Sequence, residues 1–369
     1  MENLTLSVKS PSGLFSAMAI SQSCMAPVCV INCGEASNMF RAAPLQELHA
    51  AASYFGSIDG GFGKSQLRTT AYEYRQYPLS DKISVKISRT YMCSPKELND
   101  VRCVAAEIAG ILKTNLGERC SFEKTVREYQ KWINNHFNYR NTGNLSDHSA
   151  IGLLTNRTGV CQSIAAVTML VFPHLGYPIA YVCGNARGEH GWEPHAWNAV
   201  KTERGWVHVD FTFGMASFYT PNTGGLFAKA FRRNHKWDEK ALSPANMSAC
   251  GKIYAYVRKS TIELFENSRS FTLGEVTVNT PEPMLIRGKG GGDWVNLFRL
   301  LPLLGGACEL LPGGSRLRIC LFDRQILIPN ANALVNGQNG YISVSVLSSF
   351  GVILGGNGSS VRFKIKQNQ

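Results

Sequence analysis

From Leu67 onward, apolar and polar positions follow first one period and then another. Thr69, Ala71, Tyr72 and Tyr74, then Ile83, Val85 and Ile87, recur with polar residues between them at period two, which predicts half-buried strands. Ser94-Pro95-Lys96-Glu97 supplies a helix start, and Val101, Val104, Ala105, Ile108, Ile111 and Leu112 follow at helical spacing. A second helix is predicted from about Phe122 to His136, with Val126, Tyr129, Trp132, Ile133 and His136 on one face. After a polar loop from Asn141 to Asp147, the run Thr158-Gly159-Val160-Cys161 leads into Ile164, Ala165, Val167, Met169, Leu170 and Val171, ending at Pro173. Apolar residues on nearly every side make this a helix buried at the centre of a domain, with Cys161 in its first turn.

Beyond that helix, Ile179 to Cys183, His195 to Val200 and Trp206 to Phe211 read as strands. The last two are separated by Lys201 to Gly205, a polar stretch of hairpin length. Gly184 to Pro194, with Arg187, Glu189, His190 and Trp192, is expected to form a long polar loop lining a substrate cleft. Past Pro281 the chain turns glycine-rich at Gly288, Gly290, Gly291 and Gly292, as a linker or loop does. A weak repeat follows: Trp294 to Leu297 through Gly305 to Leu317-Ile319 matches Tyr341 to Val344 through Gly351 to Phe363-Ile365 at an offset of 46 to 47 residues. Each copy predicts a short apolar helix, a glycine stop and a strand. The expected organisation is an N-terminal segment (1–65) of no assigned structure, a domain with preceding strands (66–270), and a small C-terminal α+β domain (271–369).

Composition narrows the class. The chain has 369 residues, 44% of them hydrophobic, with 38 Lys+Arg against 26 Asp+Glu and a formal charge of +12. The basic residues are scattered rather than gathered into a run, so the excess reads as a solvated basic surface and no nucleic-acid partner is expected. No stretch approaches the roughly 18 consecutive apolar residues of a membrane helix, so no membrane span is expected. The start, Lys9 followed by Gly13 to Ile20, has some character of a secretory signal, but serines interrupt it. A cytoplasmic location is expected, with secretion the alternative.

Eleven cysteines form no even framework in a chain large enough to stand without staples, so most are expected to be reduced core residues. The gaps between Cys24, Cys29 and Cys33 do not match a zinc knuckle. With no acidic calcium loop either, neither a metal nor another cofactor is expected.

The hairpin yields geometry. If residues 201–204 make a four-residue loop, Val200 pairs with Gly205, and His195 falls directly across from Asp210 on one sheet face. Trp197 then opposes His208, and Ala199 opposes Trp206. Directly opposed side chains touch. A carboxylate on one imidazole nitrogen leaves the other free to take a proton from a nucleophile. Cys161 is the obvious nucleophile, because unpaired N–H groups at a helix start favour thiolate over thiol. His208 and His190 are competing bases: His208 suits a supporting bond with Trp197, and His190 lies in a loop with no orienting partner. The backbone N–H of Cys161 is one natural oxyanion donor, with Tyr139, Asn141 and Gln162 as candidates for a second.

Together, Ser149 to Leu154 with Gly159-Val160-Cys161-Gln162, then Gly176-Tyr177-Pro178, then His195-Ala196-Trp197-Asn198, then Trp206 to Thr212 resemble the transglutaminase-like superfamily, over about residues 95 to 215. The resemblance implies an α+β, papain-like core in which a central helix carries the cysteine and packs on an antiparallel sheet bearing His and Asp. It also implies Cys161 as nucleophile, His195 as general base and acid, and Asp210 as orienter. The C-terminal repeats resemble the copper amine oxidase N-terminal-like stalk module, with Asn336-Gly337 in the turn before the second helix; that module carries no copper or catalytic residues of its own. The expected reaction is thiol-dependent acyl transfer or hydrolysis on peptide or protein amides through a Cys thioester, with a peptidase or amidase favoured. Transglutaminase-type amine transfer and a catalytically silent scaffold are the alternatives.

Overall fold

The computed structural model describes residues 3–38, 62–77, 82–117, 120–203, 205–213, 231–238, 260–288, 291–321, 324–329, 333–336, 339–355 and 359–365. Cys250, Gly290 and Gly337 lie outside them.

The chain opens with β1 (Asn3–Val8), α1 (Pro11–Ser23) and β2 (Val28–Asn32). Gly13 to Ile20, the stretch with signal-like character, is the body of α1. Its residues are buried on almost every side and its start is capped by Ser10, whose hydroxyl accepts the Gly13 N–H at 3.0 Å. β1 and β2 run parallel across this helix. A short helix α2 (Phe62–Ser65) follows, then β3 (Leu67–Gln76) and β4 (Ile83–Tyr91), which pair antiparallel, with β4 also against β2.

The helical layer is α3 (Pro95–Leu116), α4 (Phe122–His136), α5 (Ala150–Asn156) and α6 (Cys161–His174). α3 begins in a reciprocal cap: Glu97 N–H donates to the Ser94 hydroxyl at 3.2 Å, and Ser94 N–H to the Glu97 carboxylate at 2.6 Å. A two-residue parallel pair, β5 (Asn138–Tyr139) with β6 (Thr158–Gly159), ties the end of α4 to the start of α6. Next come β7 (Ile179–Gly188), β8 (Gly191–Thr202), β9 (Gly205–Val209) and β10 (His235–Trp237), a four-stranded antiparallel sheet in the order β10-β7-β8-β9. α6 lies on this sheet, pinned where the buried Asn198 amide of β8 donates to the Ala165 carbonyl at 3.1 Å. This is the expected α+β, papain-like arrangement.

The remaining strands are β11 (Thr261–Phe265), β12 (Ser270–Leu273), β13 (Val276–Asn279), β14 (Leu285–Arg287), β15 (Asp293–Asn296), β16 (Ala307–Leu310), β17 (Arg316–Leu321), β18 (Arg324–Pro329), β19 (Ala333–Asn336), β20 (Asn339–Ser343), β21 (Gly351–Gly355) and β22 (Ser360–Ile365). The two sequence repeats become β15, helix α7 (Leu297–Leu303), β16 and β17, and β20, helix α8 (Val344–Leu347), β21 and β22. Asn296 caps its helix by accepting the Arg299 N–H and Ser343 caps its own by accepting the Ser345 N–H, and β15 pairs antiparallel with β20 so that Val295 faces Ile342.

A nine-stranded sheet, ordered β21-β22-β11-β12-β13-β1-β2-β4-β3, draws strands from all three stretches of chain and so runs across the divisions expected at 65/66 and 270/271. The alternation of β1 marks a strand but says nothing of its neighbours, which here are β2 on one edge and β13 on the other. α3 joins the layers. The Asn99 amide clasps the Cys308 backbone twice, donating to its carbonyl at 2.8 Å and accepting its N–H at 3.0 Å, while the buried Arg102 guanidinium donates to the carbonyls of Ser23 (2.7 Å) and Gly306 (3.4 Å). Cys24, Cys29 and Cys33 lie in the apolar core beneath the sheet, where burial pushes the Cys29 and Cys33 thiols up to about 12. Among the described residues, no helix is long and apolar enough to cross a membrane.

Candidate active site

Cys161 is the first residue of α6, and four neighbours set it there. Asn138 N–H donates to the Arg157 carbonyl and Arg140 N–H to the Gly159 carbonyl, both at 2.9 Å, holding the approach to the helix extended. Val160 N–H donates to the Asp147 carbonyl and to the Ser163 hydroxyl, each at 3.1 Å. A Cβ on Gly159 would collide with Ser163 Oγ, so a bare glycine is what lets this cap close. The N–H groups of the first turn have no partner within the helix and present partial positive charge beside the sulfur.

His195 and Asp210 come from β8 and the end of β9. His195 Nε2 donates to Asp210 Oδ2 at 2.7 Å with both side chains buried. With Nε2 engaged, Nδ1 is the nitrogen left for Cys161, a neighbour close enough to raise the imidazole. Asp210 Oδ1 accepts the Thr212 N–H at 2.8 Å. Burial works against protonated His195, but its bonds to Asp210 and Cys161 outweigh that and lift the imidazole well above its ordinary value, to about 9. Burial would likewise raise Asp210, yet the hydrogen bonds from His195 and His235 hold its carboxyl below the usual carboxylate range.

The register differs from the sequence expectation. Thr202 pairs directly with Gly205, which leaves two residues between the strands instead of four and sets Ala199 across from His208. The shift is two residues, so every side chain keeps its face, and His195 reaches Asp210 along the diagonal rather than straight across. Gly184 to Pro194 is likewise no loop: β7 and β8 continue pairing out to Gly188 opposite Gly191, leaving Glu189 and exposed His190 at the tip. Gly191, at φ +110°, takes a backbone conformation that side chains avoid, which allows the tight turn.

Trp197 is buried behind His195, its indole stacked on the imidazole at 5.8 Å between centroids, and its N–H donates to His208 Nδ1 at 2.8 Å. Burial, with the nearby charges of His235 and Arg232, drives His208 down to about 3, so it stays a neutral acceptor. Tyr139 lies beside Cys161, with its ring half-exposed. Burial raises this phenol, and the neighbouring Cys161 raises it further, so it keeps its proton. Gln162 and Asn141 are occupied elsewhere: the Gln162 amide donates to the Ser65 carbonyl at 2.8 Å, and Asn141 Oδ1 accepts the Gly143 N–H at 3.0 Å in a local turn.

Sequence reasoning missed His235. From β10, its Nε2 reaches the same Asp210 Oδ2 at 2.9 Å, so two buried imidazoles share one carboxylate oxygen. His235-Lys236-Trp237 repeats the spacing of His195-Ala196-Trp197, a signal that was available. β10 can lie this close because Gly184 faces it: a side chain there would strike the Lys236 carbonyl and the Trp197 ring.

Compared with known proteins, the chain matches no curated protein. Among solved structures it is similar to a candidate cysteine protease from Cytophaga hutchinsonii (16% identity, 40% of this chain and 65% of that one, TM-score 0.26). It is also similar to a TGase (13% identity, 59% and 56%, TM-score 0.27) and to the periplasmic domain of TgpA from Pseudomonas aeruginosa (17% identity, 38% and 60%, TM-score 0.25). The chain thus spans between 56% and 65% of the length of these structures. The likeness of the C-terminal repeats to a copper amine oxidase stalk module rests on sequence alone. Residues 111–211 match the model of the transglutaminase-like superfamily, and Cys161, His195 and Asp210 all fall inside that match.

Proposed function

We propose that the protein is a thiol-dependent hydrolase or acyltransferase acting on peptide or protein amide bonds, with Cys161 as nucleophile, His195 as base and acid, and Asp210 as orienter. The observation that carries this is one buried imidazole that holds Asp210 through Nε2 at 2.7 Å and has Cys161, at the head of α6, among the neighbours that raise it. In this reading the sulfur gives its proton to His195 and attacks the carbonyl carbon. The oxyanion is met by the Cys161 N–H and the Tyr139 hydroxyl, and imidazolium His195 protonates the departing amine as the thioester forms. Water or a second amine then takes the acyl group while His195 reclaims a proton. The chain's chemistry for the first half-reaction needs no metal, and hydrolysis is the simpler second half.

The test is incubation with a library of peptide and glutamine-containing amides, with and without a primary amine, followed by mass spectrometry. Free acid and amine products support hydrolysis, and a product carrying the added amine supports transamidation. Turnover that persists in Cys161→Ala overturns the reading, and a protein inert to the whole library that also fails to label at Cys161 is the silent scaffold.

A further inference from the structure

His195 Nε2, Asp210 Oδ2 and His235 Nε2 all lie within 4.8 Å of one another, and all three residues are buried. His235 also offers its Nδ1 to the Phe231 carbonyl at 3.3 Å. A carbonyl can only accept, so Nδ1 carries a proton. In the neutral ring this leaves a lone pair on Nε2 pointing at a carboxylate oxygen 2.9 Å away. Two acceptors facing each other inside a protein need a positive centre between them. The same holds for His195 whenever its proton resides on the nitrogen facing Cys161. A proton can fill the gap, and so can a metal ion.

The surroundings suit a metal. Histidine ligands hold their orientation by donating the other ring N–H to a carbonyl or carboxylate, and bound carboxylates are themselves hydrogen-bonded. The Phe231 carbonyl does the first for His235, and the Thr212 N–H does the second for Asp210. Phe231 stacks flat on His235 at 3.8 Å, and Trp197 closes its edge at 5.0 Å, so the ring cannot swing away. Two imidazoles and a carboxylate suit a borderline divalent ion, and bonds of about 2.0–2.1 Å to a tetrahedral zinc separate its ligand atoms by about 3.3 Å. The donor pairs at 2.7 and 2.9 Å would open by roughly half an ångström to admit it.

We propose that His195, Asp210 and His235 form a binding site for a divalent zinc-like cation, which switches the centre off. On binding, the Nε2 protons leave to solvent and the metal takes their place. His195 then keeps one proton, on Nδ1, and cannot give it to a departing amine without becoming a metal-bound imidazolate, so the ring's cycle between acid and base stops. The cation site stands on the cluster alone, whereas the inhibition rests on the reading of His195 as base.

The test uses the full chain after chelator treatment, titrated with Zn²⁺ against a chromogenic chelator. One equivalent is expected to bind in the native protein and in Cys161→Ala, with affinity at least tenfold weaker in His235→Gln. The Co²⁺ form should show tetrahedral absorption without a thiolate charge-transfer band. His235→Cys, which supplies a different ligand at the same place, should restore binding and add that band, showing that loss in the glutamine variant is not misfolding. Unchanged affinity in His235→Gln, or loss of the equivalent in Cys161→Ala, overturns the site. Binding that leaves turnover untouched keeps the site and overturns His195 as the base.

Discussion

The indole N–H of Trp197 donates to Nδ1 of His208 at 2.8 Å, and both side chains are buried behind the His195 ring. The bond needs His208 to be neutral, and its surroundings keep it so, at about 3 against an ordinary 6.5. The unfolded chain therefore binds a proton that the folded one refuses. Stability contributed here is complete above about pH 6.5 and drains away as the pH falls toward 3. His208→Asn retains an acceptor near the indole but does not titrate. Its midpoint of urea unfolding should fall less steeply between pH 6.5 and 4 than that of the native protein, and parallel curves would show that His208 is not the group responsible.

His195 is held up to about 9 by partners that exist only in the folded site. If its proton serves the departing amine, the acylation rate should hold through neutral pH and decline as the pH rises through about 9. Removing the ring in His195→Ala should lower turnover by about 10²–10⁴-fold and slow iodoacetamide labelling of Cys161 at neutral pH. Labelling at the same rate in both proteins would mean the sulfur is not activated by this imidazole.

Gly159 has no room for a side chain, because a Cβ would press on Ser163 Oγ, on Leu153 Cδ1 at 2.9 Å and on the Asp147 carbonyl at 3.1 Å. Gly159→Ala is expected to cost about 1–3 kcal/mol through overpacking, and to disturb the cap that sets Cys161. Thermal unfolding reports the first effect and Cys161 labelling the second.

Asn99 bonds the Cys308 backbone with both ends of its amide. Asn99→Ala strips an N–H and a carbonyl of β16 of their partner, an expected loss of about 1–3 kcal/mol. Asn99→Asp loses only the donor and should fall between the two. Equal stability of all three proteins in urea would show that water replaces the clasp at no cost.

The helices were legible because their signals are local. Ser94 and Glu97 announce α3, and the all-round apolar run after Cys161 describes a helix with no solvent face, which α6 is. The hairpin was legible only modulo two residues. Turn length could not be read from Lys201 to Gly205, yet an even error preserves the face, so the approach of His195 to Asp210 survived a wrong register. The supposed polar loop ahead of His195 failed for a related reason: an exposed hairpin arm carries polar residues on both faces, and composition alone does not separate it from a loop.

What the sequence determined by itself was everything carried by neighbours along the chain: element type, caps, the cysteine at a helix head, and two strands close enough in sequence to be forced into contact. Only the tertiary structure decided that β1 lies between β2 and β13, that Asn99 reaches Cys308, and that His235 shares the oxygen already held by His195. Those contacts join residues far apart in the chain, and closing so long a loop depends on the summed packing of both layers rather than on any local pattern.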